Sequence, residues 1–171
     1  MMNDQTDEEV RAFVGPRADY YIRKWWLDLD KMGNTPGFNW AAFFLNVLWL
    51  PYRKMYRVTT ILYGIILLEA VLDEIVFVGI LGKPEAPRGL GRFVGLVVAT
   101  VCGVLGNDWY LSHSQKVTAE VRNQGLTADA HFQALAKRGG TKVAATLGFL
   151  LLFLFAAVVL AFLSEFLLKK V

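Results

Sequence analysis

Glu69 and Asp73 stand four residues apart inside an otherwise apolar run, so a helix would put both carboxylates on one face. Acids held at membrane depth are costly, and their usual uses are proton relay, cation binding or pairing with a neighbouring helix. A second polar set, Asn39, Asn46 and Arg53, repeats every seven residues along FNWAAFFLNVLWLPYRKMYR. Positions at that spacing drift only about 20° per heptad and form one stripe. Trp40, Phe43, Phe44, Val47 and Leu48 make the opposite, apolar face. The stripe, with Lys54 and Arg57 just beyond it, suits an amphipathic helix lying along a membrane or a neighbouring helix. A sharper reading has Arg53 holding a lipid phosphate or a partner.

A third set is made of small residues. Gly91, Gly95, Ala99, Gly103 and Asn107 recur at every fourth position, the spacing that lets helix backbones approach closely. In an antiparallel pair of helices Cys102 and Gly103 fall near the depth of Glu69, and Asn107 near Tyr63 and Gly64, which predicts a close contact between the first two spans around Gly64 and Gly103 with Asn107 hydrogen-bonding across it. The same stripe could instead build a homo-oligomer.

Other reactive residues carry less. His113 and His131 lack the spacing and neighbours of a metal site and read as solvated or interfacial. The single cysteine, Cys102, lies in an apolar run, where a thiol acts as a small packing residue. GLGRFVG at 89–95 has neither the spacing nor the preceding strand of a dinucleotide loop. Nucleophile elbows, kinase motifs, paired zinc ligands and phosphate loops are not found in the sequence. The expectation is therefore a protein that is not an enzyme and uses no metal or cofactor.

The elements that position these residues are membrane-like. The 171 residues are 55% hydrophobic, with a mean hydropathy of +0.39, above the roughly 45–50% apolar content of a soluble domain. Residues 143–168 carry one charge, Glu165, and as a helix reach about 39 Å, enough to cross a bilayer before Lys169 and Lys170. Residues 93–111 reach about 29 Å, with Trp109 and Tyr110 suited to headgroup level. Residues 58–82 are the hard case. Their Val, Ile, Leu and Phe contribute roughly −7 kcal/mol, while Glu69, Asp73 and Glu74 cost about +2.5 to +3.5 each if central. The expectation is three transmembrane helices, the first near break-even.

Residues 38–57 would be an interfacial or re-entrant helix ending in a basic collar, because about 20 Å is short for a span and Pro51 breaks its last turn. Residues 1–37 form a cytoplasmic segment without a signal-peptide pattern, 83–92 an external loop, and 112–142 a cytoplasmic amphipathic segment. That last segment breaks at Asn123-Gln124-Gly125, restarts at Thr127 and ends at Gly139-Gly140. Thirteen of the eighteen Lys and Arg residues fall in 1–57 and 112–142, which places the N-terminus inside and the C-terminus outside.

The stretch FNWAAFFLNVLWLPYRKMYR resembles the signature of a bacterial family of small membrane proteins of unknown function, domain-of-unknown-function family 2628. GNDWYLSHSQKV and LAKRGGT are similar to two further family features, and the resemblance runs from about Tyr20 to Gly140. Pro51 departs from the pattern, which has a non-proline residue before the tyrosine. The resemblance implies an integral bacterial membrane protein and no particular activity. The resulting expectation is an all-α, multi-pass inner-membrane protein acting as a non-catalytic accessory or scaffold. Its partners would be the bilayer, anionic headgroups and another membrane protein or itself, and no nucleic acid. The competing expectation is a small transporter or channel subunit using Glu69 and Asp73.

Overall fold

The computed structural model describes residues 5–27 and 37–168. The expected exit lysines, Lys169 and Lys170, lie outside these residues. Every regular element among the described residues is helical. The first helix, α1 (Asp7–Val14), starts at a capping box. The Thr6 hydroxyl accepts from the Glu9 amide at 3.2 Å, while a Glu9 carboxylate oxygen accepts from the Thr6 amide at 2.9 Å. Gly15, at φ +78°, turns the chain into α2 (Ala18–Leu27).

The segment expected as one interfacial helix is broken. Helix α3 (Trp40–Leu45) is capped by Asn39, whose Oδ1 accepts from the Ala42 amide at 2.9 Å. Asn46 then takes the left-handed region at φ +53°, and a single 3-10 turn (Asn46–Leu48) leads into α4 (Trp49–Tyr52). Pro51 sits inside α4, not at its end. Lys54, the second non-glycine residue at positive φ (+60°), reverses the chain into α5 (Tyr56–Glu74). A widened π-helical stretch, Ile75–Ile80, extends α5.

Helix α6 (Arg88–Arg122) runs unbroken through residue 111, the expected end of the second span, so the apolar run and the first third of the 112–142 segment are one rod about 52 Å long. Asn123–Gly125 turns the chain, α7 (Ala128–Arg138) follows from the Thr127 cap, and α8 covers Val143–Leu168.

The core lies at one end. Val10, Phe13 and Val14 of α1, Ala18, Tyr21 and Trp25 of α2, Trp49 and Leu50 of α4, Tyr110, Leu111, Val117 and Val121 of α6, and Leu135 of α7 pack into one buried cluster. This helical cap is closed by a close backbone approach. Gly140 donates to the Phe13 carbonyl at 2.6 Å, and a Cβ on Gly139 would sit 2.0 Å from that same oxygen. The rest of the molecule is inverted. Many apolar side chains of α8, among them Leu147, Leu151, Phe155 and Phe162, are exposed, as are Ile61, Ile65 and Leu68 of α5 and Phe93 and Leu96 of α6. Apolar exposure on this scale exceeds what a soluble monomer carries.

Two helical stretches among the described residues, Gly89–Arg122 and Ala128–Leu163, are long and apolar enough to cross a membrane, not the three expected. The stretch 58–82 fails because Glu69, Asp73 and Glu74 crowd one turn and a half of it. It nevertheless runs beside α8, with Tyr56 stacked on Phe149 at 5.6 Å and Tyr63 against Phe153 at 4.7 Å.

Candidate functional site

The seven-residue polar stripe faces inward along α6. Asn39 is buried and donates through Nδ2 to Asn107 Oδ1 at 2.8 Å, while Asn107 donates through its own Nδ2 to the Gly37 carbonyl at 2.9 Å. One heptad on, Asn46 donates to the Gly95 carbonyl at 3.3 Å, and Cys102 Sγ lies 3.8 Å from its Oδ1. The opposite face of α3 looks out: Trp40 is 63% and Phe44 75% exposed. A helix lying on a soluble protein shows the reverse, apolar in and polar out.

Arg53 ends the stripe. It is only 4% exposed, and its guanidinium sits 5.0 Å from the ring centres of both Tyr21 and Tyr110 and 5.9 Å from that of Tyr52. It donates through Nη2 to Tyr21 Oη at 3.1 Å and makes a long contact from Nη1 to Tyr110 Oη at 3.5 Å. Among the described residues it forms no ion pair, and its Nε is buried without a hydrogen-bond partner. Burial pushes the Tyr21 hydroxyl above the ordinary phenol value against the pull of Arg53, so Tyr21 faces the guanidinium as a neutral phenol. Arg53 is thus a structural hub and not a surface collar. Lys54 and Arg57, expected beside it as lipid contacts, diverge: Lys54 is half-buried and donates to the Lys137 carbonyl at 2.9 Å, and Arg57 is exposed. Tyr110, expected at headgroup level, is fully buried.

Below the cage a second polar cluster locks α1 to α6 and α7. Arg122 reaches Glu9 with both Nε (2.8 Å) and Nη2 (2.6 Å), and His131 Nε2 lies 3.1 Å from the same carboxylate. Burial pushes this carboxyl up, but Arg122, the Thr6 amide and His131 outweigh it and hold Glu9 at about 2. Gln5 donates to Ser114 and Thr118 at 2.9 and 2.6 Å. His131, expected to be solvated, is a member of this cluster.

The glycine stripe has a different partner from the one its spacing suggested. Gly103 is covered by Phe38, whose ring would lie 2.4 Å from an added Cβ, and its carbonyl accepts from the Asn39 amide at 2.7 Å. Gly106, outside the stripe, packs so closely on Ala42 that an added Cβ would sit 2.9 Å from the Ala42 Cβ. Ala99 is buried, but Gly64, Gly91 and Gly95 would meet nothing within 4 Å. The close approach is therefore α3 on α6, and Asn107 bonds to Asn39 and Gly37 instead of across a contact at Gly64.

The acids remain on α5. Glu69 Oε1 is buried without a partner one turn from Asp73. Glu74 and Glu165 both line an open, mainly apolar cleft of about 440 Å³ between α5 and α8. Among the described residues no three His, Cys, Asp or Glu gather as a metal site.

Tyr21, Tyr110, Glu9, Arg122 and His131 were not legible as site residues. The capping-box pattern Thr6-x-x-Glu9 was visible and marks a helix start, but nothing local says that Glu9 also meets an arginine 113 residues away.

A family model described as a protein of unknown function (DUF2628) matches residues 13–116. No curated protein and no solved structure matches the chain. The matched residues hold the stripe from Asn39 to Arg53 and its partners Tyr21, Asn107 and Tyr110, and leave out Glu9, Arg122 and His131. With more than half of its length matched, the chain belongs to the DUF2628 family of proteins of unknown function.

Proposed function

We propose that this protein is a membrane-inserted, non-catalytic accessory protein whose helical cap presents a rigid surface to a partner in the same membrane. The single observation that carries the reading is the inverted packing. Asn39, Asn46 and Arg53 point into the protein while Trp40, Phe44 and many large apolar side chains of α8, such as Leu151, Phe155 and Phe162, point out. A bilayer is the environment in which that arrangement is stable, because polar groups must be satisfied internally and apolar ones need no burial. The polar interior is spent on holding α1, α2, α3 and α7 against α6, which suits a scaffold better than a reaction centre. The excess of Lys and Arg at the cap end supports a cytoplasmic cap.

Two measurements test this. Single cysteines placed by Gln133→Cys on α7 and Glu85→Cys beyond α5, each in a Cys102→Ala background, report sidedness by labelling of intact cells with an impermeant maleimide. Residue 85 should label and residue 133 should not; the reverse pattern inverts the orientation, and extraction of the protein by alkaline carbonate removes the membrane reading. Cross-linking in native membranes, followed by purification in mild detergent, should return a second protein or a second copy at fixed stoichiometry. Recovery of the bare chain alone counts against the accessory role.

A second reading, a small transporter or channel subunit, is favoured by the unpartnered Glu69 oxygen and by the cleft holding Glu74 and Glu165. It requires proton or cation flux in liposomes that is lost in Glu69→Gln. Flux that survives the substitution removes Glu69 from the path, and no flux removes the class.

A further inference from the structure

A cleft of about 320 Å³ opens where the Lys54 turn, α6, α7 and the residue preceding α8 converge. Its polar lining is Lys54, Tyr56, His113, Lys137, Arg138 and Lys142, with no carboxylate. Among the described residues, Arg138 is the one of the four cations that meets an acid, Glu120 on α6. The Lys54 ammonium is spent on the Lys137 carbonyl, and burial together with the charge of Lys142 holds it below the ordinary lysine value. His113 Nε2 is buried without a hydrogen-bond partner.

The backbone gathers these cations; it does not merely tolerate them. Lys54 is held at φ +60°, a conformation that side-chain-bearing residues rarely adopt, and the Lys142 amide is tied to the Tyr52 carbonyl at 2.9 Å. Lys54, Lys137 and Lys142 crowd together with Glu120, which Arg138 pairs, as the neighbouring acid; cations in excess repel one another, and an anion shared among them removes that cost. Ammonium groups, a guanidinium and an imidazole nitrogen in one cleft match the several oxygens of a phosphate group. The cleft also borders the apolar surface, since Tyr56 in its wall stacks on Phe149 of α8.

We propose that this cleft binds the phosphate group of an anionic ligand, held by Lys54, Lys137 and Lys142 with His113 and Arg138 beside them. The site does not rest on the accessory reading, because its lining is independent of whether a protein docks on the cap. Two sources share the chemistry, a phospholipid headgroup and a soluble phosphate compound.

The test uses the full chain purified in a nonionic detergent at fixed ionic strength. It is titrated separately with inorganic phosphate and with a water-soluble short-chain phosphatidic acid, and binding is followed by tryptophan fluorescence and by thermal shift. The variant is Lys137→Gln with Lys142→Gln, both exposed side chains, with Lys142→Gln alone as a milder companion. Lys83→Gln with Arg92→Gln removes the same charge far from the cleft and serves as the control. Saturable binding that weakens about tenfold or more in the double variant, by an intermediate factor in the single variant, and not in the control, supports the site. Within that result, binding of phosphatidic acid alone assigns a lipid headgroup, and binding of inorganic phosphate as well assigns a soluble phosphate. Binding of neither probe, equal binding by wild type and double variant, or an equal loss in the control overturns the proposal.

Discussion

Arg53 donates to the hydroxyl of Tyr21, a residue 32 positions earlier, across 3.1 Å inside a cage of three tyrosines, with no acid paired to it among the described residues. The cage joins α2, the Lys54 turn and α6, so the guanidinium's planar fork and its stacking both matter. Replacing Arg53 by Lys keeps the charge but loses the second donor and the flat face. The expected outcome is a loss of about 1–2 kcal/mol, read as a lower thermal midpoint of the purified protein in detergent. A midpoint unchanged from wild type would show that the cage needs only a cation.

The Glu9 cluster predicts acid sensitivity. Glu9 is held at about 2 against an ordinary 4.5, so its contribution is fully present above pH 4.5. It is lost as the pH falls from there toward 2, because the unfolded state takes up the proton first. Unfolding followed between pH 6 and pH 3 should show a stability decline that flattens in Glu9→Gln. At neutral pH the same variant should be about 2 kcal/mol less stable, since it leaves Arg122 and His131 facing a neutral group. A variant with the wild-type slope would remove Glu9 as the source.

Glycines separate into two classes. Gly139→Ala drives a Cβ into the Phe13 carbonyl, a backbone atom that cannot swing away, and should cost about 3 kcal/mol or prevent assembly of the cap. Gly64→Ala and Gly95→Ala meet open space and should be neutral or raise the thermal midpoint slightly, by up to about 1 kcal/mol of helix propensity. Strong destabilisation by Gly64→Ala would restore the α5–α6 contact that the four-residue spacing suggested.

Asn39 and Asn107 should be energetically coupled. A double-mutant cycle of Asn39→Ala and Asn107→Ala is expected to give an interaction of about 1–2 kcal/mol, because each single change strands a buried amide. Additive losses in thermal or denaturant unfolding would show that each asparagine acts only through the backbone it contacts.

Much of the helical framework was legible. Apolar runs and glycine punctuation marked α8 at Val143–Leu168, the break after Arg122 and the α7 cap at Thr127, because helix ends are written by neighbouring residues. The motif carrying the family was readable too, and it covers the hub of the fold. Three spans were not sustained, since length and apolar content alone could not weigh three acids on one segment.

From the sequence alone came α8, the break after Arg122, the start of α7 and the fact that Asn39, Asn46 and Arg53 share a face. Only the tertiary structure decided which way that face looks. Periodicity defines a stripe, but its direction depends on what surrounds the chain, and apolar surroundings reverse the usual sense. The pairs that lock the molecule, Glu9 with Arg122 and Asn39 with Asn107, lie 113 and 68 residues apart. No local pattern encodes such distances, because they exist only once α1 and α3 have packed on α6.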